Sequence, residues 1–276
     1  MTTDIRPNVS VGDQDVALGN EIVRTVVGSG VHGMAIPGTD DHDEMGVYIE
    51  RPEQVMGLMP TTEHYVSRTQ PDGVRSGPGD TDLTIYSLRK FMRLATAGNP
   101  TILTLLYAPE TAVLIRSSLG DELRGLAPQI VSAKAGWRFL GYLDGQRERM
   151  TGGGHQARVP NRPELIEAHG YDTKYASHAI RLGLQGIELM LSGALRLPLR
   201  GSDLAMCMEV KRGRVDFIEA LRRVDYIREQ LAKIMSDQPL LDQHLRPEPD
   251  MGTINDWMVF AHEEHWNRGH KDHWNL

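Results

Sequence analysis

At 276 residues, 40% hydrophobic and 24% charged, the chain can form one large soluble domain or two modest ones. Its net charge of −7 argues against a general nucleic-acid-coating protein and leaves room for a local basic groove. The only cysteine, Cys207, excludes an internal disulfide and a cysteine-based zinc knuckle. The opening MTTDIRPNVSVGDQD lacks the apolar core of a signal peptide, and no apolar run approaches membrane-spanning length. A cytoplasmic protein with no membrane partner is expected.

The first strand is expected over Ile22–Val27, running into a small-residue turn, Gly28-Ser29-Gly30-Val31-His32-Gly33, whose backbone N–H groups can cradle phosphates. A second strand is expected from about Asp43 to Ile49. Side chains alternate along a strand, so Asp41 and Asp43 project to one side. Two hard oxygen ligands beside a phosphate-holding turn are what metal-assisted phosphoryl or nucleotidyl transfer requires. Asp40 competes with Asp41 for the first position.

Residues 52–64 have the composition of one short helix. Residues 69–80, TQPDGVRSGPGD, read as a flexible loop, either the tip of a long hairpin or a lid. Asp82-Leu83-Thr84-Ile85-Tyr86 follows as a third strand, with Asp82, Thr84 and Tyr86 on one face. Asp80 competes with Asp82 as the carboxylate of that strand. Leu88, Phe91, Met92 and Ala95 mark an amphipathic helix ending near Gly98. Asn99-Pro100 starts another, over Thr101 to about Tyr107.

From about Leu119 the pattern is helical. Ala176, Ile180, Leu184, Ile187 and Leu191 form one apolar stripe; Phe217, Leu221, Val224, Ile227, Leu231 and Ile234 form another. Residues 145–162 form a Gly-rich break carrying Arg147, Arg149, Arg158 and Arg162. Of these, Arg158 and Arg162 are candidate contacts to an RNA backbone or a triphosphate. Lys174, His178 and Arg181, at i, i+4 and i+7, share a helix face away from the apolar stripe, a candidate phosphate-binding face, with Asp172 a candidate cap.

Beyond Ser236 the composition of Pro, Asp and His reads as an extended arm, with Trp266 and Trp274 docking onto the body or a second subunit. The histidines of that arm, His262, His265, His270 and His273, do not have the spacing of a helix-borne zinc motif. Cys207, between Met206 and Met208, reads as a buried apolar residue.

The Gly28-Ser29 pair, Asp41-x-Asp43 and the following apolar strand resemble the DNA polymerase β-like nucleotidyltransferase superfamily. Three blocks sharpen the resemblance: GSGVHGMAIPGTDDHDEMGVYI, DLTIYSLRKFMRLATAGNPTILTLLYAP and ELIEAHGYDTKYASHAIRLGLQGIELMLSG. They are similar to the bacterial and phage predicted nucleotidyltransferases linked with RNA ligases and RNA repair. The resemblance implies an α+β fold: a nucleotidyltransferase domain of small mixed sheet and flanking helices over 1–118, then a mostly α-helical domain over 119–236 completing the cleft, and the arm 237–276.

The resemblance also implies that Asp41, Asp43 and Asp82 are catalytic and hold two Mg²⁺ ions, or Mn²⁺. Gly28 and Ser29 would hold the β- and γ-phosphates of a nucleoside triphosphate, with Lys174, His178 and Arg181 as further nucleotide contacts. The implied activity moves NMP from an NTP to a hydroxyl acceptor with release of pyrophosphate, the favoured acceptor being an RNA (tRNA) 3′ end in repair. Three other readings stay open. These are protein adenylylation of the antitoxin type, an HD-type metallophosphohydrolase built on His42-Asp43, and a relative that binds nucleotide or RNA without turnover. Self-association through the C-terminal arm is a further expectation.

Overall fold

A computed structural model describes residues 9–151 and 162–271. They fall into two compact units. One takes in the chain up to Ala95, Thr104–Ile130 and the chain from Asp250; the other takes in Thr96–Leu103 and Val131–Pro249.

The first unit is built on a six-stranded sheet: β1 (Val9–Val11), β2 (Glu21–Val26), β3 (His42–Tyr48), β4 (His64–Arg68), β5 (Thr81–Ser87) and β6 (Val113–Arg116), in the order β1-β4-β5-β3-β2-β6. Only β3 and β5 pair in parallel; every other pairing is antiparallel. Strands β2, β3 and β5 follow the expected runs closely. Strands β1, β4 and β6 were not foreseen. Two of them are short edge strands of three and four residues; β4 carries polar residues at three of its five positions (HYVSR), so its own pattern is weak and pairing makes it a strand. Residues 69–80 connect β4 and β5, so the loop is the tip of a hairpin.

Short helices decorate the sheet. Helix α1 (Gln14–Gly19) is capped by Asp13, whose Oδ1 accepts from Val16 N at 3.0 Å. Its Val16 and Ala17 pack with Tyr48, Tyr65 and Ile85 on one sheet face, with Leu83 alongside. The Gly28–Gly33 turn opens as a single helical turn, α2 (Gly28–Val31), and the helix expected within 52–64 is α3 (Pro52–Val55). Helices α4 (Leu88–Thr96) and α5 (Pro100–Tyr107) lie where expected, and Asn99 Oδ1 accepts from Thr101 N at 3.0 Å. Helices α6 (Ser118–Gly125) and α7 (Ala127–Ile130) follow.

The second unit is helical: α8 (Lys134–Met150), α9 (Pro163–His169), α10 (Thr173–Ser192), α11 (Gly201–Lys211), α12 (Phe217–Met235) and α13 (Gln238–Leu241). Helix α10 is the axis, packed against α8, α11 and α12. Gly183 and Gly186 let α12 approach: a Cβ on Gly183 would stand 2.3 Å from Ile227, and one on Gly186 2.8 Å from Leu231. Because α10 has neighbours on several sides, it buries Tyr175, Ala179, Leu182, Leu189 and Met190 as well as Ala176 and Ile180. The narrow stripe expected from the sequence is therefore corrected, and Leu191 at its end is exposed.

The arm expected to be extended is also corrected. Residues Met251–Lys271 form a 21-residue helix, α14, which belongs to the first unit and packs on α7. Pro and Asp concentrate in the connection before it, whereas His262, His265 and His270 fall within the helix. Trp266 does dock on the body as expected, its Nε1 donating to Glu50 O at 2.8 Å; Trp274 lies outside the described residues.

Candidate active site

Strands β3 and β5 run side by side with Asp43 directly opposite Asp82. Asp41 stands two residues before Asp43, at the mouth of β3, and strand alternation turns it to the same side. One carboxylate oxygen of each of these three residues lies within 4.8 Å of the others, and all three side chains are half-buried. Their face is opposite the one that α1 covers, because Tyr48 and Ile85 alternate with them along the strands. An all-oxygen, anionic donor set fits a hard divalent cation such as Mg²⁺ or Mn²⁺. Among the described residues this is the one cluster of His, Cys, Asp and Glu with that geometry.

Backbone contacts around Asp43 and side-chain contacts to Asp82 hold these two carboxylates in place. Val27 N donates to Asp43 O at 2.9 Å, which seats the start of α2 against β3. Gly28 then has φ +61°, and a Cβ there would stand 1.9 Å from Asp43 Oδ2. Only glycine leaves room for that carboxylate. His42 N donates to Asp80 O at 2.9 Å, tying the β3 mouth to the end of the hairpin loop. Asp82 accepts from Gln70 Nε2 at 2.9 Å through Oδ1 and from Ser76 Oγ at 2.7 Å through Oδ2.

The competing carboxylates are occupied in turns. Asp40 accepts from Ile36 N, and Asp80 accepts from Gly77 N and Thr69 Oγ1, both at 2.9 Å. Neither joins the three-carboxylate group. His42 alternates to the other face of β3, where its Nε2 lies 3.2 Å from Glu44 Oε1. The His42-Asp43 pair therefore cannot grip one metal from a single side, which removes the geometric basis of the HD-type reading. Arg24 bridges Glu21 and Glu44 on that same face, and Gly46 makes room for Glu21. Burial pushes the Glu21 carboxyl above its usual value, against the pull of Arg24.

In the helical unit, Asp172 caps α10, accepting from Lys174 N at 3.0 Å and Tyr175 N at 3.1 Å. Lys174, His178 and Arg181 follow along one face of that helix. Burial, with Arg181, Lys174, Lys211 and Arg162 around it, holds His178 well below its usual value, so the ring is neutral at pH 7. Burial lowers Arg181 to about 10, and its Nη1 donates to Gln185 Oε1 at 2.9 Å. Arg162 is engaged within the unit: its Nη1 lies 3.1 Å from Asp172 Oδ2 and its guanidinium stands over the Tyr175 ring. Arg158 lies outside the described residues, as do the glycines 152–154. The expected break from 145 begins as helix instead, and Arg147 forms a bidentate pair with Asp225. Cys207 is buried, and burial pushes its thiol up to about 12, consistent with an inert apolar residue.

Glu50, at the far end of β3, was not singled out by sequence reasoning. It is 0% exposed and faces His262 of α14, with Nε2 at 3.2 Å, while His262 Nδ1 lies 2.7 Å from Met258 O. His265 Nε2 stands 3.0 Å from Asn20 Oδ1. These two histidines are structural clips of the terminal helix; His273 lies outside the described residues.

A family model described as RlaP, RNA repair pathway DNA polymerase beta family, matches residues 15–259. The chain belongs to that family. It is accordingly a polymerase β-like nucleotidyltransferase of an RNA repair family. The chain is also similar to the crystal structure of a nucleotidyltransferase-like protein from Exiguobacterium sibiricum 255-15. That likeness has 13% identity and a TM-score of 0.30, and it covers 82% of this chain and 72% of the other. No curated protein matches it. No helix among the described residues of this family member is long and apolar enough to cross a membrane.

Proposed function

We propose that this nucleotidyltransferase moves NMP from an NTP to the 3′-hydroxyl of an RNA, a damaged tRNA being the favoured acceptor, and releases pyrophosphate. The observation that carries the reading is the convergence of Asp41, Asp43 and Asp82 from two parallel-paired strands, beside a glycine whose missing side chain admits Asp43. Two Mg²⁺ or Mn²⁺ ions bound by these carboxylates would neutralise charge on the attacking and departing oxygens. Asp82, held from both oxygens, is the group assigned to the proton of the attacking hydroxyl.

The N–H groups at the start of α2 lack partners within the helix, so Gly28 and Ser29, with the Ser29 hydroxyl, are assigned to the β- and γ-phosphates. In the helical unit Lys174 is assigned to phosphate, with Arg181 beside it; His178, being neutral, serves as a hydrogen-bonding group rather than a charge. Arg162 acts through its ion pair with Asp172 and so shapes the start of α10.

The test is mass spectrometry of a short RNA after incubation with each NTP and Mg²⁺. Addition of one NMP that disappears in Asp41→Asn/Asp43→Asn supports the reading. Label from ATP found on a protein band instead of RNA replaces it with protein adenylylation. Transfer that survives the double substitution overturns the assignment of the carboxylates.

A further inference from the structure

Of the twelve residues in the 69–80 loop, eleven are exposed or half-buried, and Gln70 alone is buried, at 5% exposure. Its Oε1 has no hydrogen-bond partner among the described residues. Burying an orphaned acceptor is unfavourable, so contacts of the other half of the amide must offset it. That half is Nε2, which donates to Asp82 Oδ1 at 2.9 Å and to Ser76 Oγ at 2.6 Å; Ser76 Oγ in turn donates to Asp82 Oδ2 at 2.7 Å. The three side chains close a ring around one carboxylate.

Asp82 also has a rival neighbour. It stands opposite Arg68 in the β4–β5 ladder, and Arg68 Nε lies 3.9 Å from Oδ1, an ion pair at long range with a half-exposed guanidinium. A freely rotating Asp82 would close that pair, because a carboxylate and a guanidinium prefer bidentate contact. Doing so would turn its oxygens from Asp41 and Asp43. The Gln70–Ser76 ring fixes the carboxylate plane, yet each oxygen keeps a lone pair for a cation.

We propose that Gln70 and Ser76 are positioning residues: the hairpin loop holds Asp82 toward Asp41 and Asp43 and away from Arg68. The loop is then an anchor for the third carboxylate. The proposal rests on the reading of the three aspartates as a divalent-metal site.

The experiment measures Mn²⁺ binding to the full chain by calorimetry, with thermal stability recorded in chelator. Gln70→Ala and Ser76→Ala are each expected to weaken Mn²⁺ binding by about tenfold, in the range of residues that orient metal ligands. Arg68→Ala placed in the Gln70→Ala background is expected to restore most of that affinity, since the rival partner is gone. Unchanged affinity in both single variants, beside an Asp82→Asn control that loses binding, overturns the proposal and leaves the metal reading standing. Weakened affinity that Arg68→Ala does not restore, or that tracks a lowered melting temperature in chelator, also overturns it by reducing Gln70 to loop packing. A native chain that binds no Mn²⁺ overturns the metal reading and the proposal together.

Discussion

Gly28 and Asp43 are in van der Waals competition for one volume: a methyl group on Gly28 would stand 1.9 Å from Asp43 Oδ2 and 2.7 Å from its Cγ. The two residues are 15 apart in sequence and are brought together by the bond from Val27 N to Asp43 O.

Gly28→Ala is therefore expected to act twice. The left-handed φ of +61° costs a β-carbon about 1–2 kcal/mol of stability. The clash displaces Asp43, and a misplacement of order 1 Å lowers transfer roughly 100-fold. Steady-state kinetics beside a denaturation curve separates the two effects; full activity with only a stability loss would refute the link between Gly28 and Asp43.

Three half-buried carboxylates within 4.8 Å repel one another. Asp43→Asn or Asp82→Asn should leave the melting temperature in chelator unchanged or raise it, while transfer and stabilisation by Mn²⁺ disappear. At 100 times Kd a bound ion adds about 2.7 kcal/mol to the native chain, an increment calorimetry resolves. A lowered melting temperature in chelator would mark the aspartates as structural.

Glu50 and His262 pin α14 to the end of β3. Burial pushes the Glu50 carboxyl up, but hydrogen bonds from His262, its own backbone and Ser87 outweigh it and leave it below the usual value. The stability this contributes is present above about pH 4.5 and is lost as pH falls through the lowered value. His262→Ala strands a buried carboxylate and should cost about 3–5 kcal/mol; Trp266→Phe removes one hydrogen bond and should cost about 1 kcal/mol. Urea titrations of both variants check the ranking, and equal costs would contradict it.

His178 sets a second pH dependence with the same sign. Its value is held well below 6.5 in the native chain, so between the two values the unfolded chain binds the extra proton. Stability from this source is complete above pH 6.5 and declines below it, by at most about 1.4 kcal/mol per pH unit. Comparing the native chain with His178→Gln between pH 5 and 7 isolates the contribution; parallel profiles would exclude it.

Much of this was written in local pattern. The alternation of β2, β3 and β5, the Asn99 and Asp172 caps and the i/i+2 spacing of Asp41 and Asp43 depend only on near neighbours, and each appears in the structure. Edge strands β1 and β6 were too short for a periodic signal, and α14 was masked by its polar histidines and acids.

What the chain by itself determined is which carboxylates are candidates for the site and which way a strand would turn them, because periodicity is a property of neighbouring residues. Tertiary structure decided the rest. The parallel register that sets Asp82 beside Asp43, and not one residue aside, comes from pairing across 39 positions of sequence, since a slip of one residue would turn every side chain of β5 to the opposite face. That register set Asp82 rather than Asp80 beside Asp43, while the Gln70–Asp82 bond and the clip of the terminal helix to Glu50 are separate contacts between distant residues that no local pattern encodes.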